Sequence, residues 1–327
     1  HPRPRRSGRS VQVSTAAAQP APPTCLALSG GVGGAKLALG LAHHLPAAEL
    51  VIAANVGDDF EHLGLTICPD IDTLVYTLSG LANPETGWGR AGDTSIFMQA
   101  LAALGGETWF HLGDGDLAMH VARSHRLRAG DSLSRITADI CSRFGIETRI
   151  LPASDDPVRT IVETADGPLP LQHYFVRDKC APAVTGFRYD GAAGARINDG
   201  ILAALSAPSL GAVIICPSNP YISIDPMLAI PALKQALRDC AAPVVAVSPI
   251  VGGAALKGPT AKMMQELGET VSADTVVHRY SDIIDGFVLD PADRALEKTI
   301  RDSSIRVLIT PSVMTSLDDR IRLAKKT

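Results

Sequence analysis

The chain has 327 residues, of which 46% are hydrophobic and 20% charged, and this balance excludes a chain that is disordered throughout. Its formal net charge of −4 disfavours a nucleic-acid-binding protein, because such proteins are normally basic. The sequence has no run of about 18 apolar residues, so we expect no membrane span.

Apolar strands alternate with helical segments along most of the chain. Residues 1–23 are rich in Pro, Ala, Ser and Arg, and we predict that they form a disordered leader. The predicted strands are 25–28, 50–54, 108–112, 147–151, 160–163, 172–176, 212–216, 243–247, 286–289 and 306–309. The predicted helices are about 35–45, 72–81, 93–104, 117–126 and 132–144.

This alternation predicts an α/β fold with a Rossmann-like, mostly parallel sheet flanked by helices. Aromatic residues make up only 4% of the chain, so the core is aliphatic, as is usual for buried parallel strands. We predict one domain over 24–327, with a smaller inserted α+β region at about 115–200. The six cysteines are widely spaced, and reduced thiols in a cytoplasmic protein explain them best.

The turns that directly follow the apolar strands carry glycine, aspartate, asparagine and serine. In a parallel sheet these turns collect at one edge, beyond the carboxyl ends of the strands, where ligands bind. The first turn, 29–36, has glycines before a helix and predicts a phosphate contact. It lacks the residues of a Walker A loop and of a complete dinucleotide fingerprint. The alternative is a tight strand-to-helix turn.

Two acidic motifs follow. Asp58 and Asp59 end the second strand and predict a Mg²⁺ site, with Asp58 as the more direct ligand because it is nearer the strand. The alternative for this pair is a solvated Asx turn. In the next motif, Asp70 or Asp72 caps a helix, or Asp72 points into a cleft and receives or orients a substrate hydroxyl.

Weaker signals lie further along the chain. The loop around Trp88 has the composition of a mobile ring-binding loop, and Asp93 looks like a helix cap. His111 ends a predicted strand at the ligand edge. The turns 217–220 and 248–253 have groups that could hold a nucleobase or ribose, although ordinary turn chemistry explains them equally well.

Taken together, these motifs resemble the 2-phospho-L-lactate transferase family. The resemblance extends from about residue 25 to beyond residue 260. It is carried by the segments 28–36, 55–59, 68–73, 76–78, 87–94, 112–118, 151–155, 217–220 and 248–253. Each segment is weak alone, and their shared order makes the match specific.

The resemblance implies an enzyme of deazaflavin coenzyme F-420 biosynthesis. Such an enzyme transfers the phospho-acid part of a guanosine diphosphate ester to the ribityl hydroxyl of the deazaflavin Fo. GMP is released, Mg²⁺ is required, and the expected assembly is a homodimer. Phospholactyl, phosphoenolpyruvyl and phosphoglyceryl groups all remain open as the transferred group.

The resemblance also implies roles for individual residues. Asp58 and Asp72 are the implied catalytic residues, and Asp58 with Asp59 is the implied metal site. The implied substrate contacts are Gly30, Gly31, Gly33, Gly34, Lys36, Asp72, Trp88, Asp93, Thr94, His111, Ser218, Asn219, Ser248 and Gly252.

Two other classes of protein compete with this interpretation. A non-catalytic, nucleotide-sugar-binding regulatory protein of related fold would share the glycine turn. The segments 69–73 and 88–93 favour the transferase. A dinucleotide-dependent dehydrogenase is disfavoured by the incomplete glycine fingerprint.

Overall fold

The structure is a computed structural model that describes residues 24–327, and the predicted leader lies outside this range. Its centre is a sheet of seven strands in which every neighbouring pair is parallel. In chain order the strands are β1 (Cys25–Ser29), β2 (Leu50–Ala54), β3 (Arg149–Pro152), β4 (Ala212–Ile215), β5 (Val244–Val247), β6 (Gly286–Leu289) and β7 (Arg306–Ile309). With the flanking helices this confirms the predicted α/β fold.

Twelve α-helices connect and cover the strands in the described part of the chain. They are α1 (Gly31–His44), α2 (Pro69–Leu78), α3 (Ile96–Ala103), α4 (Asp114–Arg128), α5 (Leu133–Arg143), α6 (Asp199–Leu205), α7 (Asp225–Leu228), α8 (Pro231–Asp239), α9 (Thr260–Glu266), α10 (Ala273–Tyr280), α11 (Glu297–Asp302) and α12 (Leu317–Lys326). Helix α1 packs against α2 and α12, whereas α6 packs against α8 and strands β1 and β2. No helix among residues 24–327 combines the length and apolarity that a membrane crossing requires.

Smaller elements lie between the main strands. Two antiparallel hairpins pair Phe60–His62 with Leu65–Ile67 and Ile250–Val251 with Ala254–Ala255. A three-stranded antiparallel sheet contains Leu169–Pro170, Arg159–Thr164 and Val184–Asp190. The division into one domain with an inserted region stays a prediction, and strand β3 of the main sheet lies within the stretch 115–200.

The strand order β3-β2-β1-β4-β5-β6-β7 fixes where a ligand can enter. The chain runs outward from β1 to β3 and then returns to build β4 on the other side of β1. The connections that leave β1 and β4 therefore diverge, which opens a crevice beyond their carboxyl ends. The glycine turn follows β1 and the turn 217–219 follows β4, so both lie at this switch point.

The main strands are buried because their side chains are aliphatic on both faces. Leu26, Leu28, Leu50 and Ile52 are completely buried. Each such side chain contributes about 1.5–3 kcal/mol relative to an exposed one. Continuous apolar runs thus identify the central strands even without alternation.

Two predicted strands are wrong. Residues 108–112 contain no strand, so His111 does not end one. Instead Leu112 packs with Ile67 and Met98 in a satellite core, where a loop buries its apolar residues without pairing its backbone to the main sheet. Residues 172–176 also form no strand, because His173–Arg177 is a π-helical turn.

Candidate active site

The glycine turn forms the first turn of helix α1, which begins four residues earlier than predicted. Gly31 has a φ of +64°, in the left-handed region that favours glycine. A Cβ at Gly30 would lie 2.6 Å from Cβ of Ser223, and one at Gly34 would lie 2.7 Å from Oγ of Ser218. These glycines therefore let α1 approach the segment that follows β4.

Asp70 occupies the N-terminus of α1, where the sequence predicts a phosphate. The Gly31 N–H donates a 2.7 Å hydrogen bond to Asp70 Oδ1, and Asn55 Nδ2 donates a 2.9 Å hydrogen bond to Oδ2. Asn55 follows strand β2 and also donates to the carbonyl of Ile222. One carboxylate thus connects the turns after β1 and β2 with helix α2.

Asp58 and Asp59 lie beside this carboxylate and are almost completely buried. The Asp58 and Asp70 carboxyl groups are within hydrogen-bonding reach of each other. Oδ1 of Asp58 and Oδ1 of Asp59 have no hydrogen-bond partner among the described residues. A buried carboxylate oxygen without a partner is costly, which indicates that a ligand supplies the missing interaction.

Burial shifts the pKa of all three carboxyl groups upward. It raises the pKa of Asp59 to about 7 and that of Asp70 to about 6. Burial, followed by repulsion from Asp70 and Asp59, raises the pKa of Asp58 well above its ordinary value. Such a set of desolvated, mutually repelling carboxylates is typical of a functional site.

Carboxylate oxygens of this kind are the ligands that a hard divalent cation such as Mg²⁺ prefers. Among residues 24–327, however, the group whose ligand atoms all lie within 4.8 Å of one another is Asp72, Asp116 and His120. Asp58 and Asp59 as ligands of Mg²⁺ stay a prediction. The structure places beside Asp58 a further carboxylate, Asp70, for which the sequence suggests only a helix cap. Helix α2 begins at Pro69, so Asp70 stands in its first turn. The Pro-Asp pair at a helix start was the signal that could have identified this residue.

Asp72 lies on another side of α2 and faces α4. Both of its carboxylate oxygens accept hydrogen bonds from the fully buried Arg123 guanidinium, one of them at 3.1 Å. His120 lies 3.6 Å from Asp72 Oδ2 and 3.1 Å from Asp116 Oδ2. The Tyr76 hydroxyl donates to Asp116 Oδ1 at 2.6 Å. Asp72 therefore belongs to a buried network of charges, and its catalytic role stays a prediction.

Asp93, which precedes α3, caps the start of α4, and Asp114 of α4 caps the start of α3. Asp93 accepts hydrogen bonds from the backbone N–H groups of Gly115 and Asp116, at the start of α4. Asp114 accepts from the Thr94 hydroxyl and from the first N–H groups of α3. The cap predicted for Asp93 is present, although the helix that it caps is α4. Contact of Asp93 and Thr94 with substrate stays a prediction.

Lys36 and Trp88 are two further residues with an implied substrate contact. The Lys36 ammonium donates a 3.1 Å hydrogen bond to the Met314 carbonyl, and burial, then Lys257 and Arg320, lowers its pKa. Trp88 is 56% exposed, and its loop reaches α1, where a Cβ at Gly87 would lie 3.0 Å from Val32 Cγ1. Their contacts with substrate stay predictions.

The remaining predicted residues make local contacts. His111 is exposed, and its Nε2 lies 3.2 Å from Ser95 Oγ. Asn219 Oδ1 accepts from the Tyr221 N–H, and Ser248 Oγ donates to the Ile250 carbonyl. The Ser218 hydroxyl accepts a hydrogen bond from the Gly30 N–H, and the Gly252 N–H donates to Asp293. The structure thus brings Ser218 to the glycine turn, while the nucleobase contacts stay predictions.

Comparison with known proteins identifies relatives over nearly the whole described chain. The family model described as 2-phospho-L-lactate transferase CofD matches residues 25–318. A 2-phospho-L-lactate transferase of Methanosarcina acetivorans is 38% identical over 298 residues, which cover 91% of this chain and 96% of that protein. A phosphoenolpyruvate transferase of Streptomyces griseus is 37% identical over 306 residues, which cover 91% of this chain and 95% of that protein.

A solved structure also shares the fold. Protein BH3568 from Bacillus halodurans superposes with a TM-score of 0.59 at 14% sequence identity. The match covers 93% of this chain and 98% of that one. At this identity the likeness concerns the fold alone.

Proposed function

The chain belongs to the 2-phospho-L-lactate transferase family and is a transferase, and from this premise we propose its reaction and its substrates. The donor is a guanosine diphosphate ester of a small acid, and the acceptor is the ribityl hydroxyl of the deazaflavin Fo. The products are GMP and coenzyme F-420-0 or a variant that carries another acid. The two relatives named above are named for different acids, so the identity of the acid in the donor is the part of the reaction to be determined.

One observation supports this proposal: at the switch point of the sheet the buried Asp70 carboxylate accepts a hydrogen bond from the first amide of α1, and the buried Asp58 carboxylate lies beside it. Helix N-termini favour phosphate oxygens, and carboxylates favour a divalent cation. A diphosphate with its cation combines both preferences.

The residues of this site position the reactants for phosphoryl-type transfer. Such transfer needs alignment and charge neutralisation more than covalent catalysis. Mg²⁺ held by Asp58, Asp59 and Asp70 would neutralise negative charge on the diphosphate. Asn55 holds Asp70 in place, and the glycine turn lets the donor phosphates approach the backbone of α1.

The acceptor hydroxyl approaches from the side of Asp72. The hydroxyl oxygen forms a bond to the phosphorus that bears the acid, and the bond from that phosphorus to the bridging oxygen breaks. GMP departs with the electron pair, and the hydroxyl proton passes to water. Burial raises the pKa of Asp72, and the Arg123 guanidinium opposes this shift. Arg123 also fixes the direction of the carboxylate, so we assign Asp72 the alignment of the hydroxyl by a hydrogen bond.

The experiment supplies the purified chain with Fo, MgCl₂ and, in separate reactions, the guanosine diphosphate esters of lactate, enolpyruvate and glycerate. Mass spectrometry follows the deazaflavin product, and chromatography follows GMP. We expect equal amounts of GMP and of an Fo derivative with at least one donor. The preferred donor then identifies the acid.

The regulatory alternative predicts a different result. No donor would release GMP, and UDP-sugars rather than Fo with GDP would raise the melting temperature. Asp58→Asn tests the assignment of the site, since it keeps the volume of the side chain and removes its charge. Turnover at the wild-type rate by this variant would contradict the assignment of the site.

A further inference from the structure

Arg90 lies in an ordered loop between α2 and α3. Its backbone pairs with Ala82 in an antiparallel bridge, and the Ala91 N–H donates a 2.7 Å hydrogen bond to the Leu81 carbonyl. Gly89 and Gly92 on either side have φ values of +72° and +65°. The fold thus fixes the place from which the Arg90 side chain extends.

The guanidinium of Arg90 lies over the first turn of α4. A Cβ at Gly115 would be 2.8 Å from Arg90 Nη1, closer than two such atoms can approach. A glycine at this position therefore leaves the space that the guanidinium occupies. The two residues form one local arrangement, although 25 positions separate them in sequence.

This half-buried guanidinium has no protein partner. Within residues 24–327 its side chain makes no hydrogen bond and no ion pair. Three carboxylates of this region already have other donors. Asp93 accepts from the backbone of α4, Asp114 from the backbone of α3, and Asp116 from Tyr76. A cation that its acidic neighbours leave unpaired is available to an anionic ligand.

The loop of Arg90 connects the donor side of the site with the acceptor side. At one end Gly87 touches Val32 in α1, and the Lys257 ammonium donates to the Thr86 carbonyl. At the other end Arg90 meets α4, which carries Asp116, His120 and Arg123 toward Asp72. A group attached to the far phosphate of the donor would reach the space between these ends.

We propose that Arg90 binds the carboxylate of the small acid that the donor carries, which makes Arg90 a specificity residue for the transferred group. A guanidinium presents two parallel N–H donors that match the two oxygens of a carboxylate. The diphosphate itself lies with the carboxylate cluster at α1, so the acid is the anion left for Arg90. This inference rests on the proposed function.

Arg90→Gln tests the proposal, because it removes the charge and keeps a hydrogen-bonding side chain. We expect KM for the preferred donor to rise about ten- to hundredfold, as for loss of one charged hydrogen-bonded contact. The kcat should change less than about threefold, because this contact is present in both ground state and transition state. Arg90→Lys should give an intermediate KM.

Gly115→Ala tests the same arrangement without removing the charge. Its added methyl group displaces the guanidinium, so we expect the donor KM to rise while the KM for Fo stays unchanged. The control variant is Arg143→Gln, which changes an exposed arginine on α5. It should leave both constants unchanged.

GDP separates the two anions that Arg90 could bind, since GDP has the diphosphate and lacks the acid. We expect Arg90→Gln and the wild type to be stabilised equally by GDP with MgCl₂ in a thermal-shift assay. An equal loss of donor and GDP affinity would overturn the proposal in favour of a diphosphate contact. If Arg90→Gln is folded and its donor KM equals that of the wild type, the role of Arg90 is overturned and the proposed function is not. If the wild type releases no GMP, the proposed function is overturned as well.

Discussion

Two polar clusters of this protein, one buried and one half-buried, differ in how their charges are paired. In the first, Asp58 lies near both Asp59 and Asp70, and one carboxylate oxygen each of Asp58 and Asp59 has no hydrogen-bond partner among residues 24–327. In the second, the Arg279 guanidinium donates to Asp225 at 2.6 Å and to Glu269 at 2.9 Å, and it lies 4.3 Å from the centre of the Tyr221 ring.

This difference distinguishes a candidate ligand site from ion pairs that stabilise the fold. Every charge in the second cluster has an opposite charge beside it, so the cluster needs no ligand and holds α7 and α10 together. The first cluster gathers like charges in a buried place, which lowers the stability of the ligand-free fold. We therefore expect mutations in the first cluster to affect activity and mutations in the second to affect stability.

The largest expected effect is that of Asp58→Asn on turnover. Loss of this carboxylate should lower kcat/KM by about 10²–10³-fold, the size found when one electrostatic stabiliser is removed from an active site. The ligand-free variant should melt at or above the wild-type temperature, because a repulsive buried charge is gone. Steady-state GMP release and calorimetry measure the two quantities. If Asp58→Asn were fully active but less stable than the wild type, the first cluster would support the fold rather than the reaction.

Arg279→Gln is the complementary change in the second cluster. Loss of the charged hydrogen bonds of this half-buried arginine costs about 1.5–3 kcal/mol. The loss should appear in the free energy of unfolding measured with urea. The kcat/KM of the folded variant should stay within about twofold of wild type, since the residue only supports the fold. A large loss of kcat with unchanged stability would place this cluster in the site.

Magnesium should distinguish the clusters without altering the fold. At about 100 times its dissociation constant, Mg²⁺ should stabilise the wild type by about 2.7 kcal/mol. Asp58→Asn should lose most of this gain, and Arg279→Gln should keep it. Differential scanning fluorimetry with and without chelator measures the gain. Equal stabilisation of all three proteins would indicate that the ion binds elsewhere.

The smallest expected effect is a pH dependence of the ligand-free protein. Asp59 and Asp70 have pKa values of about 7 and about 6 in the fold, above the value of about 4 for an unfolded chain. The folded state therefore holds these protons more tightly. Its stabilisation by protonation is complete below about pH 4 and is lost as the pH rises through about 7.

Urea unfolding in chelator tests this sign. The midpoint should fall between about pH 5 and about pH 8, and Asp70→Asn should flatten the slope. Arg143→Gln should keep the slope because it changes an exposed arginine on α5 and leaves both carboxyl groups in place. A midpoint that rises over this range in the wild type would show that the carboxylates are stabilised as anions even without a cation.

The sequence identifies the sheet well because its signal is local. Strands β2, β6 and β7 have the predicted bounds, since their apolar runs end at clear turn residues. The run 108–112 is equally apolar and fails, because burial in a satellite core requires hydrophobic side chains but no strand. Local pattern cannot distinguish these two ways to bury the same residues.

The sequence motifs predict which residues form the site, but they do not predict how these residues are arranged. Asp70 and Asp72 are two positions apart, which turns their side chains about 200° from each other on a helix. Which of them faces α1 depends on the packing of α2 between α1 and α5. The partners of Asp72, Arg123 and His120, come from a helix about 50 positions away, and no local spacing signals that encounter.

The first amide of α1 donates its hydrogen bond to Asp70. A phosphate oxygen that takes this amide has to replace the carboxylate, which then requires a new positive neighbour. The Asp70 carboxylate thus competes with a phosphate for the first amide of α1. A metal ion that binds this carboxylate and moves it away from the amide removes the competition. Ion and nucleotide would then strengthen each other's binding by the same factor, whichever arrives first.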